Sequence, residues 1–204
     1  MIKNIIFDFG DIFINLDKKK LHNALQSLGI HDWSVSLKEL NESFEKGECS
    51  DAEFLSGIQK YIPNIPLDEI KKSWCTILAD FPLYRLEFLE TLAKKNYRLF
   101  LLSNTDAIHI ENFKNTVGEA FYNRFYNSFE KVYFSFDMGL RKPQPEIYLQ
   151  VLNTNHLIAS ETLFVDDKEE NTDAAKALGI KVWNLQVGEE DVVDLFDKKD
   201  LHLY

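Results

Sequence analysis

The sequence predicts an α/β protein, a doubly wound parallel sheet with a block of helices inserted after its first strand. Short runs that are apolar on both faces recur along the chain, as strands covered by helices on each side require. From residue 84 onward these runs alternate with apolar residues at helical spacing, the pattern of a doubly wound domain. Residues 16–83 break the alternation with helical patterns and no strand between them.

Strands are expected at residues 5–9, 97–102, 131–134, 162–165 and 180–185. Within the block, helices are expected at residues 18–28, 37–46, 51–61 and 67–78, punctuated by Pro63 and Pro66. Leu86, Leu89 and Ala93 mark a further helix, and Pro145 opens another with Ile147, Tyr148, Val151 and Leu152 on one face. Ala174, Ala175 and Leu178 mark a third, with Gly179 placed to end it. The stretch D-V-V-D-L-F at 191–196 reads as a final amphipathic helix. The expected organisation is a core domain of residues 1–15 and 84–204, with residues 16–83 as a small domain above the sheet.

At 204 residues the chain can bury a real core. A net charge of −10 argues against nucleic acid or an anionic membrane as the partner. It also requires any phosphate site to be positive locally. Cys49 and Cys75 form no CxxC and read as reduced thiols. With no basic leader and no long apolar run, the expectation is a cytoplasmic protein without a membrane span.

In open α/β sheets the site lies beyond the carboxyl ends of the strands. The first strand ends at Asp8, the second at Ser103 and Asn104, and the fourth at Asp166 and Asp167. The third is followed by Arg141 and Lys142 ahead of a helix. Singly, each has an ordinary reading as a turn residue, a solvated charge or a helix cap. Converging, three carboxylates repel by ~4 kcal/mol per pair at 4 Å and an effective dielectric of 20. One lysine does not balance them, so a divalent cation is the missing piece, and oxygen-only ligands favour Mg²⁺. A strand-end Asp beside Mg²⁺ is a nucleophile that can form an aspartyl-phosphate. Ser103 can hold phosphate oxygens, Lys142 can neutralise charge, and Asn171 can hydrogen-bond a metal-bound water.

The ordered set D-F-G-D-I, L-L-S-N-T, G-L-R-K-P and F-V-D-D-K-E-E-N resembles the haloacid dehalogenase-like hydrolases, whose core is Rossmann-like. It is most similar to their sugar-phosphate phosphatases of the D-x-G type. The motifs span residues 8–171, and the helical block matches that family's cap domain in position and size. The resemblance implies Asp8 as nucleophile and Mg²⁺ held by Asp8, the Gly10 carbonyl and Asp167, with Asp166 acting directly or through water. It also raises Arg141, beside Lys142, as a phosphate ligand, and implies a small phosphorylated metabolite as substrate for a monomer or weak dimer.

Family phosphatases usually read D-x-D, the second Asp being the general acid. Here that position is Gly10, and the nearest acid, Asp11, is one residue late. Asp11 either turns into the site as the acid or stabilises a turn. Three functions remain open: a phosphatase whose substrate leaves easily, such as an anomeric sugar phosphate; a 2-haloacid dehalogenase, against which Asp166-Asp167 argues; and a non-catalytic metal- or ligand-binding relative. His22, His31, His109, His156 and His202 show no metal-ligand spacing or evident acid partner, though His109 follows S-N-T-D and can line the site. Glu45, Lys46 and Glu48 around Gly47 read as solvated loop charges. Phe121, Tyr122, Phe125 and Tyr126 read as packing.

Overall fold

The structure is a computed structural model describing residues 1–198, 201 and 203. Five strands form one parallel sheet: β1 (Asn4–Phe7), β2 (Arg98–Ser103), β3 (Lys131–Phe134), β4 (Thr162–Asp166) and β5 (Lys181–Asn184). Their order is β3-β2-β1-β4-β5. The three central strands are almost wholly buried, which is why they read as continuous apolar runs. Alternate residues serve opposite faces. Ile5, Phe7, Leu99, Leu101, Leu163 and Val165 enter one apolar cluster; Ile6, Phe100, Leu102 and Phe164 enter the other.

After β1 the chain enters α1 (Lys18–Ser27), α2 (Val35–Glu45), α3 (Asp51–Gln59) and α4 (Leu67–Trp74). These four helices pack around a third cluster that includes Leu37, Phe44, Phe54, Ile58, Ile70 and Trp74. The chain leaves and re-enters the sheet layer at one place. Asn15 N donates to Asp80 O at 2.9 Å, Ala79 N to Asn15 O at 3.0 Å, and Asp17 N to Ile77 O at 2.7 Å.

The remaining helices cover the sheet. On one face lie α5 (Leu83–Ala93), α6 (Ala107–Val117) and α7 (Glu119–Tyr126), which supply Leu86, Leu89, Leu92, Phe113 and Phe125 to the first cluster. The expected packing role of the 121–126 aromatics is what the rings show, with Phe125 in contact with Phe9, Phe13, Phe113 and Phe129. A short α8 (Ser135–Met138) follows β3. On the other face lie α9 (Pro145–Thr154), started by its proline as expected, and α10 (Glu169–Ala177).

The final helix expected at 191–196 forms as a 3-10 helix, Val192–Asp197. Asp191 and Asp194 cap one another's backbone N–H groups, and Asp194 N bonds to Asp191 O three residues back, which holds the tighter winding. Among the described residues, no helix is long and apolar enough to cross a membrane.

Gly47, just after α2, has φ +68°, and a Cβ built there would lie 2.2 Å from the Phe136 carbonyl oxygen. The turn thus presses its backbone onto α8. Gly47→Ala is expected to cost more than about 2 kcal/mol, from left-handed strain plus overlap with a backbone atom. Gly139→Ala, at φ +67° in the left-handed region with open space around it, should cost only about 1 kcal/mol. Thermal unfolding of both variants measures the difference; equal losses would mean the Phe136 contact yields freely.

Candidate active site

The parallel register brings the strand ends to one edge: Phe7 pairs with Leu101 and Val165, so Asp8 and Asp166 emerge side by side, with Ser103 one residue further along β2. Lys142 reaches in from the segment before α9 and is 1% exposed. An ammonium has three donors, and here each is used: on Asp8 Oδ1 at 2.7 Å, Asp166 Oδ2 at 2.7 Å and the Leu102 carbonyl at 2.8 Å. Asn104 fixes the lysine's own backbone. Its Nδ2 donates to Lys142 O at 2.8 Å, and its Oδ1 accepts from Lys142 N at 2.9 Å.

Electrostatics follow from burial and crowding. Burial pushes the Asp8 carboxyl up, Lys142 opposes this and Asp166 adds to it, leaving the group at about 7. Burial and the charges of Asp166 and Asp11 raise Asp167 as well. Burial disfavours charge on Lys142, but Asp166 and Asp8 outweigh it and hold the ammonium above its ordinary range.

Ligand oxygens of Asp8, Asp166 and Asp167 lie within 4.8 Å of one another, the spacing of a cation site. Asp166 is fully committed to protein donors: Lys142, Lys168 N at 2.9 Å, and Asn171 Nδ2 at 3.0 Å to each oxygen. Among the described residues, the Asp167 carboxylate has only Lys18, at 3.9 Å. Asn171 Oδ1 is buried, with no hydrogen-bond partner among the described residues. An unmatched acceptor beside three carboxylates fits a cation carrying water, because a bound water supplies the donor that Asn171 lacks.

These groups form one end of a cavity of about 390 Å³ between the sheet edge and the helical block. Its lining includes residues with no mark in the sequence: Lys18, beside Asp167, and Trp33, Asn41 and Trp74. His109, read as lacking an acid partner, has one in Asp106, with Nδ1 at 2.8 Å from Oδ2, and its Nε2 meets Trp74 O at 3.1 Å. Trp74 Nε1 donates to the same Asp106 at 3.1 Å, closing a ring between α4 and α6. The D-x-x-H spacing at 106–109, one turn of helix, was the available signal. His22 also lines the cavity, whereas His31 and His156 do not; His202 lies outside the described residues.

Two expected site residues lie at the border of the cavity, each bonded to a side chain that lines it. Asp11, at φ 57°, spends its oxygens on Leu16 N and Lys18 Nζ, each at 2.9 Å, and is no part of the cavity wall. It stabilises the turn out of β1. Arg141 turns away from the site to Glu45 Oε2 at 2.9 Å and Glu42 Oε1 at 3.5 Å, because two carboxylates of α2 stand opposite it. Glu45 is therefore not the solvated charge expected, and it lines the cavity; Lys46 and Glu48 pair with each other as loop charges do. The missing acid has a structural counterpart. A Cβ at Gly10 would lie 2.8 Å from Leu16 Cδ1, so an apolar side chain fills the space toward which an acid would project.

A fold and strand-edge constellation of this kind defines a class, and comparison with known proteins gives the same one. The chain belongs to the haloacid dehalogenase-like hydrolase family, whose model matches residues 5–185. It is 30% identical over 195 residues to a D-ribitol-5-phosphate phosphatase of Bacteroides thetaiotaomicron, covering 92% of this chain and 94% of that one. It is 29% identical over 189 residues to a sesquiterpene phosphatase of Aspergillus oryzae, covering 87% of each. A haloacid dehalogenase-like enzyme from Bacteroides thetaiotaomicron, solved with magnesium and inorganic phosphate, superposes with a TM-score of 0.84 at 32% identity, covering 96% of this chain and all of that one.

Two outcomes follow for metal binding. Asp167→Asn should weaken Mg²⁺ affinity more than Asp166→Asn, since Asp166 is occupied by protein donors. Calorimetric titration decides this, and equal affinities would show that the pair shares the ion. Asp8 must also shed its proton to receive a cation. Apparent Mg²⁺ affinity should therefore rise by about threefold to tenfold between pH 6 and pH 7, then level off above the Asp8 pKa. Affinity flat across that range would refute the raised carboxyl.

Proposed function

We propose that the protein is a Mg²⁺-dependent phosphatase acting on a small phosphorylated metabolite, a sugar or sugar-alcohol phosphate, through an aspartyl-phosphate on Asp8. The observation that carries this is the meeting of Asp8, Asp166 and Asp167 around Lys142 at the sheet edge. The names of the relatives support it, two of them phosphatases and one a complex with magnesium and phosphate.

A carboxylate oxygen of Asp8 attacks phosphorus, and the ester P–O bond breaks with its electron pair on the leaving oxygen. The Ser103 hydroxyl holds a phosphate oxygen, and Lys142 keeps Asp8 aimed while offsetting negative charge. Asp8, Asp167 and the Gly10 carbonyl would hold Mg²⁺, with Asp166 behind them, and the ion supplies neutralisation of the phosphate's charge. Water then attacks phosphorus, releasing inorganic phosphate and restoring the Asp8 carboxylate. No carboxylate faces the leaving oxygen from position 10, so that oxygen takes its proton from solvent.

Phosphate release from sugar phosphates with Mg²⁺ tests the reading. Asp8→Asn should lower the rate by about 10³-fold or more, and turnover within tenfold of wild type would sink the aspartyl-phosphate. Anomeric phosphates should outrun primary alkyl phosphates of equal size, because their hydroxyl is the better leaving group. Gly10→Asp alone collides with Leu16, whereas Gly10→Asp with Leu16→Ala makes room for an acid. The double variant should raise rates on alkyl phosphates selectively, by up to ~10²-fold. An equal rise on anomeric phosphates would contradict leaving-group protonation as the missing step.

A further inference from the structure

Three buried side-chain atoms have no hydrogen-bond partner among the described residues: Asn171 Oδ1, Asn41 Oδ1 and Tyr126 Oη. Asn171 and Asn41 line the same cavity. Asn171 stands at the metal end. Asn41, on α2, stands at the other end, where the alcohol part of a phosphomonoester must lie if the phosphate is at Asp8. A buried acceptor left unmatched costs about 1–3 kcal/mol, so its presence on a cavity wall points to a donor brought by the ligand.

The direction of the Asn41 amide is set. Its Nδ2 donates to Glu45 Oε1 at 3.3 Å, which leaves Oδ1 as the free atom, since the reverse placement would oppose two oxygens. Glu45 is held in turn by Arg141, with Nε at 3.1 Å and Nη2 at 2.9 Å from Oε2. Arg141 is the neighbour of Lys142 in the chain. A line of contacts thus runs from the catalytic segment through Arg141 and Glu45 to one acceptor oxygen. Trp33 and Trp74, stacked on each other at 5.9 Å, line the same cavity and give the carbon chain of a substrate apolar surface to lie against. Trp74 Nε1 and both His109 nitrogens, which also stand there, are bonded within the protein.

We propose that Asn41 is the residue that selects the leaving group, its Oδ1 accepting a hydrogen bond from a hydroxyl on the alcohol part of the substrate. Glu45 and Arg141 are positioning residues for that oxygen. The favoured substrate is then a polyhydroxylated phosphate and not the phosphate of an apolar alcohol. This rests on the phosphatase reading above.

The test compares ribitol 5-phosphate with pentyl phosphate, primary esters of equal chain length that differ in their hydroxyls. The neighbouring hydroxyl makes ribitol the somewhat better leaving group, so the change in the kcat/KM ratio on substituting Asn41, and not the ratio itself, isolates recognition. Wild type should favour ribitol 5-phosphate by about 10²-fold or more, as sites built to bond a hydroxyl do. Asn41→Leu should narrow that preference by about 10- to 100-fold while leaving pentyl phosphate within about threefold of wild type. Glu45→Gln, which keeps the shape but weakens the hold on Arg141, should narrow it less. Equal losses on both esters would overturn the proposal in favour of a structural role. An unchanged ratio would overturn it by showing that water satisfies Oδ1. Wild-type protein inactive on both esters, with Mg²⁺ present, would instead overturn the phosphatase reading and this proposal with it.

Discussion

The site depends on a single buried ammonium. Lys142 touches the ends of three strands at once: Asp8 after β1, Leu102 in β2 and Asp166 in β4. Without it, adjacent buried carboxylates would face each other at a cost of ~4 kcal/mol per pair at an effective dielectric of 20. With it, the parallel register becomes a functional constraint, because a slip of one residue would carry each carboxylate to the opposite face of the sheet. The strand order places β2 and β4 on either side of β1, which is what allows one lysine to reach all three.

The helical block is joined to this centre by side chains that do no chemistry. Asp106 accepts from Trp74 Nε1, His109 N and His109 Nδ1, while His109 Nε2 meets Trp74 O. With carboxylate at one nitrogen and carbonyl at the other, the imidazole is suited to carry both protons. Burial alone would lower its pKa, but Asp106 and the Trp74 carbonyl raise it above its ordinary value. The raised pKa makes the stabilisation complete below the ordinary 6.5, and it fades as pH climbs through the folded value. Arg141 provides the second tie, across to Glu42 and Glu45.

Much of this was legible in the chain because the sheet and the strand-end chemistry leave local marks. Buried central strands must be apolar throughout, and each ends on a polar residue that breaks the run. The helical block was legible from the absence of strands. What escaped depends on distances between segments far apart in sequence. Arg141 read as a phosphate ligand because it adjoins Lys142, but nothing local shows that Glu42 and Glu45 stand opposite. Asp11 was ambiguous until its left-handed backbone and its bonds to Leu16 and Lys18 were in view. Asn41 carries no mark at all, since only the fold reveals an amide oxygen without a partner.

The paired connections at Asn15, Asp80 and Ala79 have a consequence for how such a chain can be assembled. Entry and exit of the helical block are backbone neighbours, bonded as two rungs of a ribbon. Loop-closure entropy grows only as the logarithm of loop length, so a core that can bring these two points together tolerates inserts of very different size at nearly the same cost. Length alone therefore sets little limit on the block; the limit is the set of side chains that meet the core, Trp74 and Glu45 among them.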